Sequence, residues 1–388
     1  MLSSNWLIPS RETLSKVSIV DSRKLHNRLL LLIVFALVGT GIVMVYSSSS
    51  ISADTKFGDS IHFLKRQSCF ALIGLLLMFF VMNIRYQVLQ RLVYPIIIIS
   101  FLLLTLVLIP GIGTTIGGST RWFRIGPLSF QPSELAKLAL VIFLAYSLSK
   151  KEKTIKSFSI GFLPHLIVTL VMSGLVLLQP DFGAAMILLF LFFILMFAAG
   201  TKIRYLTSLL GVMSVGCYFL ITCVGYRLDR ITAYLNPWED PTATGFQIIQ
   251  SFLAFGSGGL WGAGLGNGKQ KLFYLPEPHT DFICSIIGEE LGFIGILFVI
   301  ILFITLFFCG LKIALKAPDL LGTYLALGIT SLISLHTVIN LGVVMGLLPT
   351  KGSTLPFISY GGTSLVVNLI GIGILLNISS QLPVKRRV

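Results

Sequence analysis

Residues 282–311 read FICSIIGEELGFIGILFVIILFITLFFCGL, a stretch in which Glu289 and Glu290 are the only charged side chains. A bilayer core is about 30 Å thick, and an α-helix needs about 20 predominantly apolar residues to cross it. Because this stretch exceeds that length, it predicts a transmembrane helix that is tilted or kinked. Other parts of the chain repeat the pattern, which favours an α-helical membrane protein.

Nine further apolar runs are long enough to cross a bilayer or nearly so. They lie near residues 29–47, 69–84, 92–110, 133–149, 160–178, 183–200, 204–224, 320–345 and 361–379. We therefore predict an all-α, polytopic fold with about ten transmembrane helices. The bundle is expected over residues 29–380, with tails at residues 1–28 and 381–388. The longest connection, residues 225–281, is predicted to be a large loop between helices 7 and 8.

The composition supports this class. Of the 388 residues, 55% are apolar and 11% are charged, whereas about 25% of the residues of an average soluble domain are charged. The net charge of +14 would suggest nucleic acid in a soluble protein, but here Lys and Arg lie in short segments between apolar runs. The five cysteines lack metal-ligand or disulfide spacing, which indicates packing. Disordered chains, nucleic-acid binders and disulfide scaffolds are therefore excluded.

The distribution of basic residues predicts the orientation in the membrane. Most of the 29 Lys and Arg residues lie in the two tails and in every second connection. Basic connections stay on the cytoplasmic side of a membrane. We therefore expect both termini in the cytoplasm and the loop at residues 225–281 on the outer side.

Asp281 is the acidic residue best placed for chemistry at the outer boundary. It stands in LPEPHTDF, residues 275–282, directly before the eighth apolar run. A helix N-terminus favours an ionised carboxylate at this place. Two interpretations stay open, a helix cap and an outward-facing acid–base group. Glu289 follows eight positions later on the same predicted helix face, where it either bonds within the bundle or joins the site.

A second charged cluster begins at Arg121 and continues to Lys137. Glu134 and Lys137 are neighbours on one helix face, and they form either a structural ion pair or part of a polar cavity. Arg121 is either an interfacial anchor or a cation for an anionic headgroup. Asp181 is interpreted as a turn residue, and His336 as a packed core histidine.

Several motifs in this order resemble the SEDS family of bacterial shape, elongation, division and sporulation proteins. The resemblance covers about residues 29–380. The motifs are more similar to those of the division members than to those of the elongation members, and the sporulation members are also close. The matching stretches are Arg121-Trp122, FQPSELAK at 130–137, QPDFG at 179–183, LNPW at 235–238, residues 245–247, residues 271–292 and LPTKGSTLPFISYGG at 348–362.

The resemblance implies an inverting peptidoglycan glycosyltransferase of the bacterial cytoplasmic membrane that polymerises lipid II at the outer face during cell division. It implies that Asp281 matches the essential aspartate of the family, and that Glu134 and Lys137 match its charged pair. The implied partners are lipid II, a glycan linked to undecaprenyl pyrophosphate, a class B penicillin-binding transpeptidase and other division proteins.

The chemistry of this reaction suggests roles for the candidate residues. Asp281 would act as the general base on a sugar hydroxyl, and basic side chains would neutralise the leaving diphosphate. The remaining members of the predicted substrate site follow the same motifs. The predicted substrate-binding residues are Glu134, Lys137, Arg121, Gln131, Lys271, His279, Thr280, Glu289, Lys351 and Ser359. A divalent cation with the diphosphate is left open, because no dedicated ligand cluster is present.

Two other functions also fit the sequence. A polar cavity containing Glu134, Lys137 and Glu289 would suit a lipid II flippase. A non-catalytic scaffold could recruit the transpeptidase through its outer loop and its spans eight and nine. The outward position of Asp281 favours the enzyme.

Overall fold

The computed structural model describes residues 11–116, 119–126, 128–223, 225–242, 245–272 and 274–382. The outer parts of the two predicted tails, residues 1–10 and 383–388, lie outside the described residues. The first helix already begins at Arg11, within the segment predicted as a tail.

Twelve α-helices build the described part of the chain. They are α1 (Arg11–Phe57), α2 (His62–Met82), α3 (Leu89–Leu106), α4 (Pro132–Lys150), α5 (Leu163–Leu178), α6 (Phe182–Ala198), α7 (Ile203–Thr222), α8 (Gly225–Leu235), α9 (Phe246–Gly258), α10 (Ile283–Lys316), α11 (Leu320–Val344) and α12 (Gly362–Ser380). Among the described residues, nine of them are long and apolar enough to cross a membrane, and α6 is a shorter apolar helix. Each of the ten predicted runs coincides with one of these helices, which confirms the multi-pass α-helical fold.

Helices α4, α11 and α12 form the centre of the bundle. The buried share of their apolar windows is 78%, 67% and 89%, against 11% for α7 at the periphery. A central helix faces protein on all sides, so polar side chains on α4 and α11 can meet partners instead of lipid. The candidate site lies between these central helices.

Helix α10 is broken at Gly292, where the backbone adopts φ 68°. This left-handed conformation favours glycine, and the predicted kink is therefore present. The break frees backbone groups, and the glycine-rich connection after α9 binds them. Ala263 N donates to Glu289 O at 2.9 Å, and Phe293 N donates to Gly259 O at 2.9 Å. The glycines of this connection permit a close approach, since a methyl group at Gly262 would overlap the α10 backbone.

A small antiparallel sheet, which we did not predict, occupies the connection between α3 and α4. Its strands are β1 (Thr114–Ile116), β2 (Ser119–Ile125) and β3 (Leu128–Phe130), in the order β1-β2-β3. Phe123 pairs with Phe130 in its second ladder. The sheet carries Arg121 and ends one residue before the Gln131 that precedes α4.

Four connections meet at one end of the bundle. Arg121 of β2 donates to the backbone of the α5–α6 turn, at Gln179 O, over 2.9 Å. Tyr360, which precedes α12, donates its backbone N–H to His279 O at 2.9 Å. The predicted outer loop thus contributes its last residues to the same end as the sheet. It also contains α8 and α9, which the apolar runs did not predict.

Candidate functional site

A polar cavity of about 520 Å³ opens at this end of the bundle. Side chains from the sheet, the central helices and the connections before α10 and α12 line it. Seven residues of the predicted site are among them: Asp281, Glu134, Lys137, Arg121, Gln131, Thr280 and Lys351. Residues far apart in the sequence therefore share one cavity.

Asp281 lies at the wall of this cavity without capping a helix. Helix α10 begins at Ile283, and its N-cap residue Phe282 makes no side-chain capping bond. Asn340 of α11 fixes the backbone by donating its Nδ2 to Asp281 O at 2.8 Å. Burial raises the pKa of the Asp281 carboxyl to about 6, and nearby Glu277 acts in the same direction. A carboxylate with a pKa near neutrality suits general-base catalysis.

Lys351, on the connection before α12, is a cation that lines the same cavity. Its side chain runs past Gly183, where a methyl group would overlap it. Burial lowers the pKa of Lys351 to about 8, while the neighbouring Asp181 acts in the opposite direction. The ammonium is therefore charged at neutral pH and loses its charge within a mildly alkaline range.

Glu134 and Lys137 form a buried ion pair on α4 that also lines the cavity. Lys137 Nζ lies 2.7 Å from Glu134 Oε1 and 2.8 Å from His336 Nε2 on α11. Lys137 is 1% exposed, and both side chains line the cavity. The pair is therefore a buried ion pair and also part of a polar cavity, the two interpretations that the sequence left open. His336 lines the same cavity, and we had interpreted it as a packed core residue. The available signal was its spacing from Asn340, because residues four apart share a helix face.

Arg121 and Asp181 stand where the polar cavity adjoins a second one. Arg121 Nη1 lies 3.8 Å from Asp181 Oδ2. Asp181 also caps α6, since its Oδ1 accepts the Ala184 N–H at 2.9 Å, which fits its interpretation as a turn residue. The second cavity has a volume of about 610 Å³, and Arg121, Asp181 and Lys351 line both cavities. Its other walls are largely apolar.

Lys271 and Glu289 lie away from the lining of the polar cavity. Lys271 Nζ lies 2.7 Å from Glu290 Oε1 and donates to Ser47 Oγ at 3.3 Å. Glu289 accepts the backbone N–H of Lys269 at 2.7 Å. Both side chains tie the connection after α9 to the broken helix α10. Their predicted part in substrate binding stays a prediction.

His279 and Ser359 do not line the polar cavity but contact residues of the connections that form it. The His279 ring lies 4.3 Å from the Phe63 ring and 5.5 Å from the Tyr360 ring. Burial lowers the pKa of His279 to about 4, so this imidazole is neutral at pH 7. Ser359 Oγ accepts the Leu355 N–H at 2.8 Å. These contacts shape the connections on either side of Asp281, and a direct contact with substrate stays a prediction for both residues.

No group of three or more His, Cys, Asp or Glu side chains arranged for a metal ion occurs among the described residues. The sequence left a divalent cation with the diphosphate open and did not predict one. The chain itself supplies positive charge at the cavity through Lys351, Arg121 and Lys137.

The comparison with protein families covers nearly the whole chain. The family described as "Cell cycle protein", which comprises FtsW, RodA and SpoVE, matches residues 27–383. The chain belongs to this family. The FtsW/RodA/SpoVE match spans every element that contributes to the cavity, from α2 to α12.

Relatives within the FtsW/RodA/SpoVE family are similar over almost their full length. A probable peptidoglycan glycosyltransferase FtsW of Geobacter metallireducens is 49% identical over 357 residues, which cover 92% of this chain and 95% of that protein. The stage V sporulation protein E of Bacillus subtilis is 48% identical over 351 residues, with 90% and 96% covered. The chain is thus similar to division and sporulation members alike.

Solved structures of the FtsW/RodA/SpoVE family have the same architecture. A chain from a structure on the coordination of polymerization and crosslinking by a peptidoglycan synthase complex is 33% identical. Its TM-score is 0.74, with 90% of this chain and 96% of that chain covered. The rod shape determining protein RodA of Thermus thermophilus gives a TM-score of 0.65 at 31% identity, with 91% and 96% covered.

Proposed function

We propose that this protein is a peptidoglycan glycosyltransferase that polymerises lipid II into glycan strands during cell division. The names of its relatives support the reaction class. The observation that carries the proposal is the Asp281 carboxyl, whose pKa is raised to about 6, in one cavity with Lys351, Arg121 and Lys137. A general base and several cations in one cavity fit sugar transfer from a diphosphate.

Asp281 acts as the general base in this mechanism. A sugar hydroxyl of the acceptor lipid II attacks the anomeric carbon of the growing chain on undecaprenyl pyrophosphate. The new glycosidic C–O bond forms as the C–O bond to the diphosphate breaks, and configuration inverts. Asp281 takes the hydroxyl proton, and the diphosphate leaves with the bonding electron pair. A second carboxylic acid is unnecessary, because the diphosphate leaves without being protonated, unlike the alkoxide in glycoside hydrolysis.

The basic side chains stabilise the leaving diphosphate. Lys351 lines the same cavity as Asp281, and its positive charge opposes the rise in the pKa of Asp281. Arg121 lines the cavity beside it. Fixed cations in a partly desolvated cavity stabilise developing negative charge without reorganising. Lys137 contributes a third positive charge deeper between α4 and α11.

The membrane arrangement supports synthesis at the outer face. The cavity lies at the end of the bundle that receives the α3–α4, α5–α6 and α11–α12 connections. The other end carries the basic connections, including Lys150 to Lys156. Basic connections mark the cytoplasmic side. We therefore place both termini in the cytoplasm and the cavity at the outer face of the bacterial cytoplasmic membrane.

A class B penicillin-binding transpeptidase is the proposed partner. The similar chain of 33% identity belongs to a peptidoglycan synthase complex that coordinates polymerization and crosslinking. Other division proteins complete the proposed assembly.

The decisive test is a lipid II polymerisation assay with purified wild type and Asp281→Asn. General-base catalysis is worth about 10²–10⁴-fold, so Asp281→Asn should lose activity by at least the lower of these factors. Glu277→Gln is the matched control, because this carboxyl lines the same cavity but its side chain is 65% exposed. The control should keep most of the activity.

Three outcomes would count against the proposal. Normal glycan strands from Asp281→Asn would refute the assignment of Asp281 as the general base. Transfer of labelled lipid II across vesicles by a wild type that makes no glycan would favour a flippase. Binding of the transpeptidase without any synthesis, in wild type and variant alike, would favour a scaffold.

A further inference from the structure

His336 is a buried histidine whose contacts differ from those of an ordinary core residue. It lies on α11, is 3% exposed and lines the polar cavity. Its Nε2 lies 2.8 Å from Lys137 Nζ, while its Nδ1 has no hydrogen-bond partner in the structure. One ring nitrogen is thus committed to a lysine, and the other is unsatisfied.

The lysine fixes the protonation of this ring. A lysine ammonium is a donor only, with three N–H groups. His336 must therefore accept at Nε2, and the neutral imidazole carries its proton on Nδ1. This N–H is then buried without an acceptor, which destabilises the fold. A side chain that only fills space would avoid that loss, so apolar packing alone does not account for the histidine, whose Nε2 accepts from the Lys137 ammonium.

His165 provides the contrast within the same molecule. It is fully buried, and both of its ring nitrogens are satisfied, at 2.6 Å from Gly161 O and 2.8 Å from Ser147 Oγ. It lies outside the lining of the polar cavity. These contacts give His165 a structural role, which His336 does not share.

Two polar residues on one face of α11 contact the proposed base segment and the cation. His336 contacts Lys137, and Asn340 contacts the backbone of Asp281. His336 binds the Lys137 ammonium, and Asn340, four residues later, donates to Asp281 O at 2.8 Å and to Ser353 O at 2.6 Å. Residues four apart on a helix are neighbours on the same face. The rigid α11 backbone therefore sets the spacing between Lys137 and the Asp281 segment.

We propose that His336 is a substrate-positioning residue that holds Lys137 for a diphosphate oxygen of the lipid-linked substrate. Glu134 takes one N–H of the ammonium, and His336 takes a second. The third N–H is left for a ligand in the cavity, which Lys137 lines. This inference rests on the proposed function for the identity of the ligand, whereas the geometry of the three side chains does not depend on it.

The test measures binding and turnover in purified full-length variants. His336→Leu removes the acceptor, and His336→Gln retains one in its Oε1. We expect His336→Leu to weaken the binding of undecaprenyl pyrophosphate about 10-fold, the typical scale of an outer-shell contact that orients a ligand group. The KM for lipid II should rise with it. The melting temperature should fall less than in His165→Leu, because His336→Leu removes an unsatisfied N–H together with the acceptor for Lys137. His336→Gln should restore binding to within about 3-fold of wild type.

Two controls separate positioning from stability. His165→Leu should lower the melting temperature and leave the binding of undecaprenyl pyrophosphate unchanged. In a Lys137→Met background, His336→Leu should have no further effect on binding, because the group that it positions is absent.

Several results would overturn the inference. Unchanged binding in His336→Leu would do so, as would equal losses in the Leu and Gln variants or additive losses with Lys137→Met. A wild type that binds undecaprenyl pyrophosphate but makes no glycan would instead refute the proposed function and leave the positioning test valid. The two failures are therefore distinguishable.

Discussion

Two buried lysine–glutamate pairs lie in this bundle, and they have the same N–O distance. Lys137 and Glu134 are 2.7 Å apart on α4, and Lys271 and Glu290 are 2.7 Å apart at the α10 break. The first pair lines the polar cavity, whereas the second does not. The distance between two charges therefore does not reveal what a buried ion pair does, and its surroundings decide.

The pair at the α10 break is enclosed by protein. Glu290 Oε2 accepts from Ser47 Oγ at 2.6 Å, and Lys271 Nζ also reaches Ser47 Oγ. The side chains of Lys271 and Glu290 are only 4% and 0% exposed. These contacts join α1, α10 and the connection after α9 into one unit. Lys271 also retains one N–H after its two bonds, but Lys271, Glu290 and Ser47 do not line the polar cavity, so a ligand bound there does not reach this pair.

The pair on α4 is open by comparison. The Glu134 side chain is 10% exposed, and Lys137 retains one N–H after its bonds to Glu134 and His336. Burying the Glu134–Lys137 pair costs desolvation free energy, and we propose that the substrate uses the remaining N–H of Lys137. The same two residue types thus stabilise the fold at one place and are proposed to bind the substrate at the other.

The largest expected effect follows from removing the lysine of each pair. Lys271→Met leaves Glu290 buried and unpaired, and breaking a buried pair from one side typically costs about 3–5 kcal/mol. Lys137→Met should destabilise less, because Glu134 borders a cavity that water can enter. The free energy of unfolding, followed by denaturation in detergent, checks this order.

Activity should separate the two variants in the opposite direction. Per folded molecule, Lys137→Met should reduce lipid II polymerisation by about 10²-fold, the scale for removing one preorganised charge-stabilising donor. Folded Lys271→Met should keep most of its activity. Equal losses of stability and of activity in both variants would mean that the two pairs do not differ in role.

A smaller effect is expected from Gly183→Ala. The added methyl group would overlap the flexible end of Lys351, so the lysine must move while the backbone stays in place. We expect kcat/KM to fall about 10-fold, since a displacement of about 1 Å at a reacting group can cost up to 10²-fold. The melting temperature should change little.

Gly174→Ala is the matched control, because a methyl group there meets no atom within 4 Å. It should leave both activity and melting temperature unchanged. Wild-type kcat/KM in Gly183→Ala would show that polymerisation does not require the observed position of the Lys351 side chain in the polar cavity. Lys137 would then be the cation of the cavity that polymerisation requires.

The sequence was sufficient for most of the fold because a membrane imposes a strong length rule. Each apolar run of about 20 residues became a helix. The sheet at residues 114–130 was missed because two of its strands have only three residues, too short for an alternating pattern. Helices α8 and α9 were missed because their lengths, 11 and 13 residues, lie below the transmembrane signal.

The candidate site shows where spacing along the chain stops being informative. The helix-face argument joined Glu289 to Asp281, but α10 begins at Ile283, so Asp281 lies before the helix. Lys271 is close to Asp281 in sequence but pairs with Glu290. His336 was assigned to packing because its partner on α4 is 199 positions away. Contacts between central helices could not be deduced from one sequence without the packing.

The smallest expected effect concerns pH, and it tests whether Asp281 and Lys351 act together. The Asp281 carboxyl has its pKa raised to about 6, so it becomes protonated and stops accepting a proton as the pH falls below that value. Lys351 has its pKa lowered to about 8, so its positive charge is lost as the pH rises further. The kcat/KM for lipid II should therefore follow a bell-shaped profile with limbs near these two values.

Lys351→Arg separates the two limbs. A guanidinium stays protonated at every pH at which the protein is folded, so the alkaline limb should disappear while the acidic limb stays. Lys137 can serve as the reference cation, because it lines the same cavity at greater depth. An alkaline limb that persists in Lys351→Arg would assign the titration to another group. Lys351 would then not be the cation that acts together with Asp281.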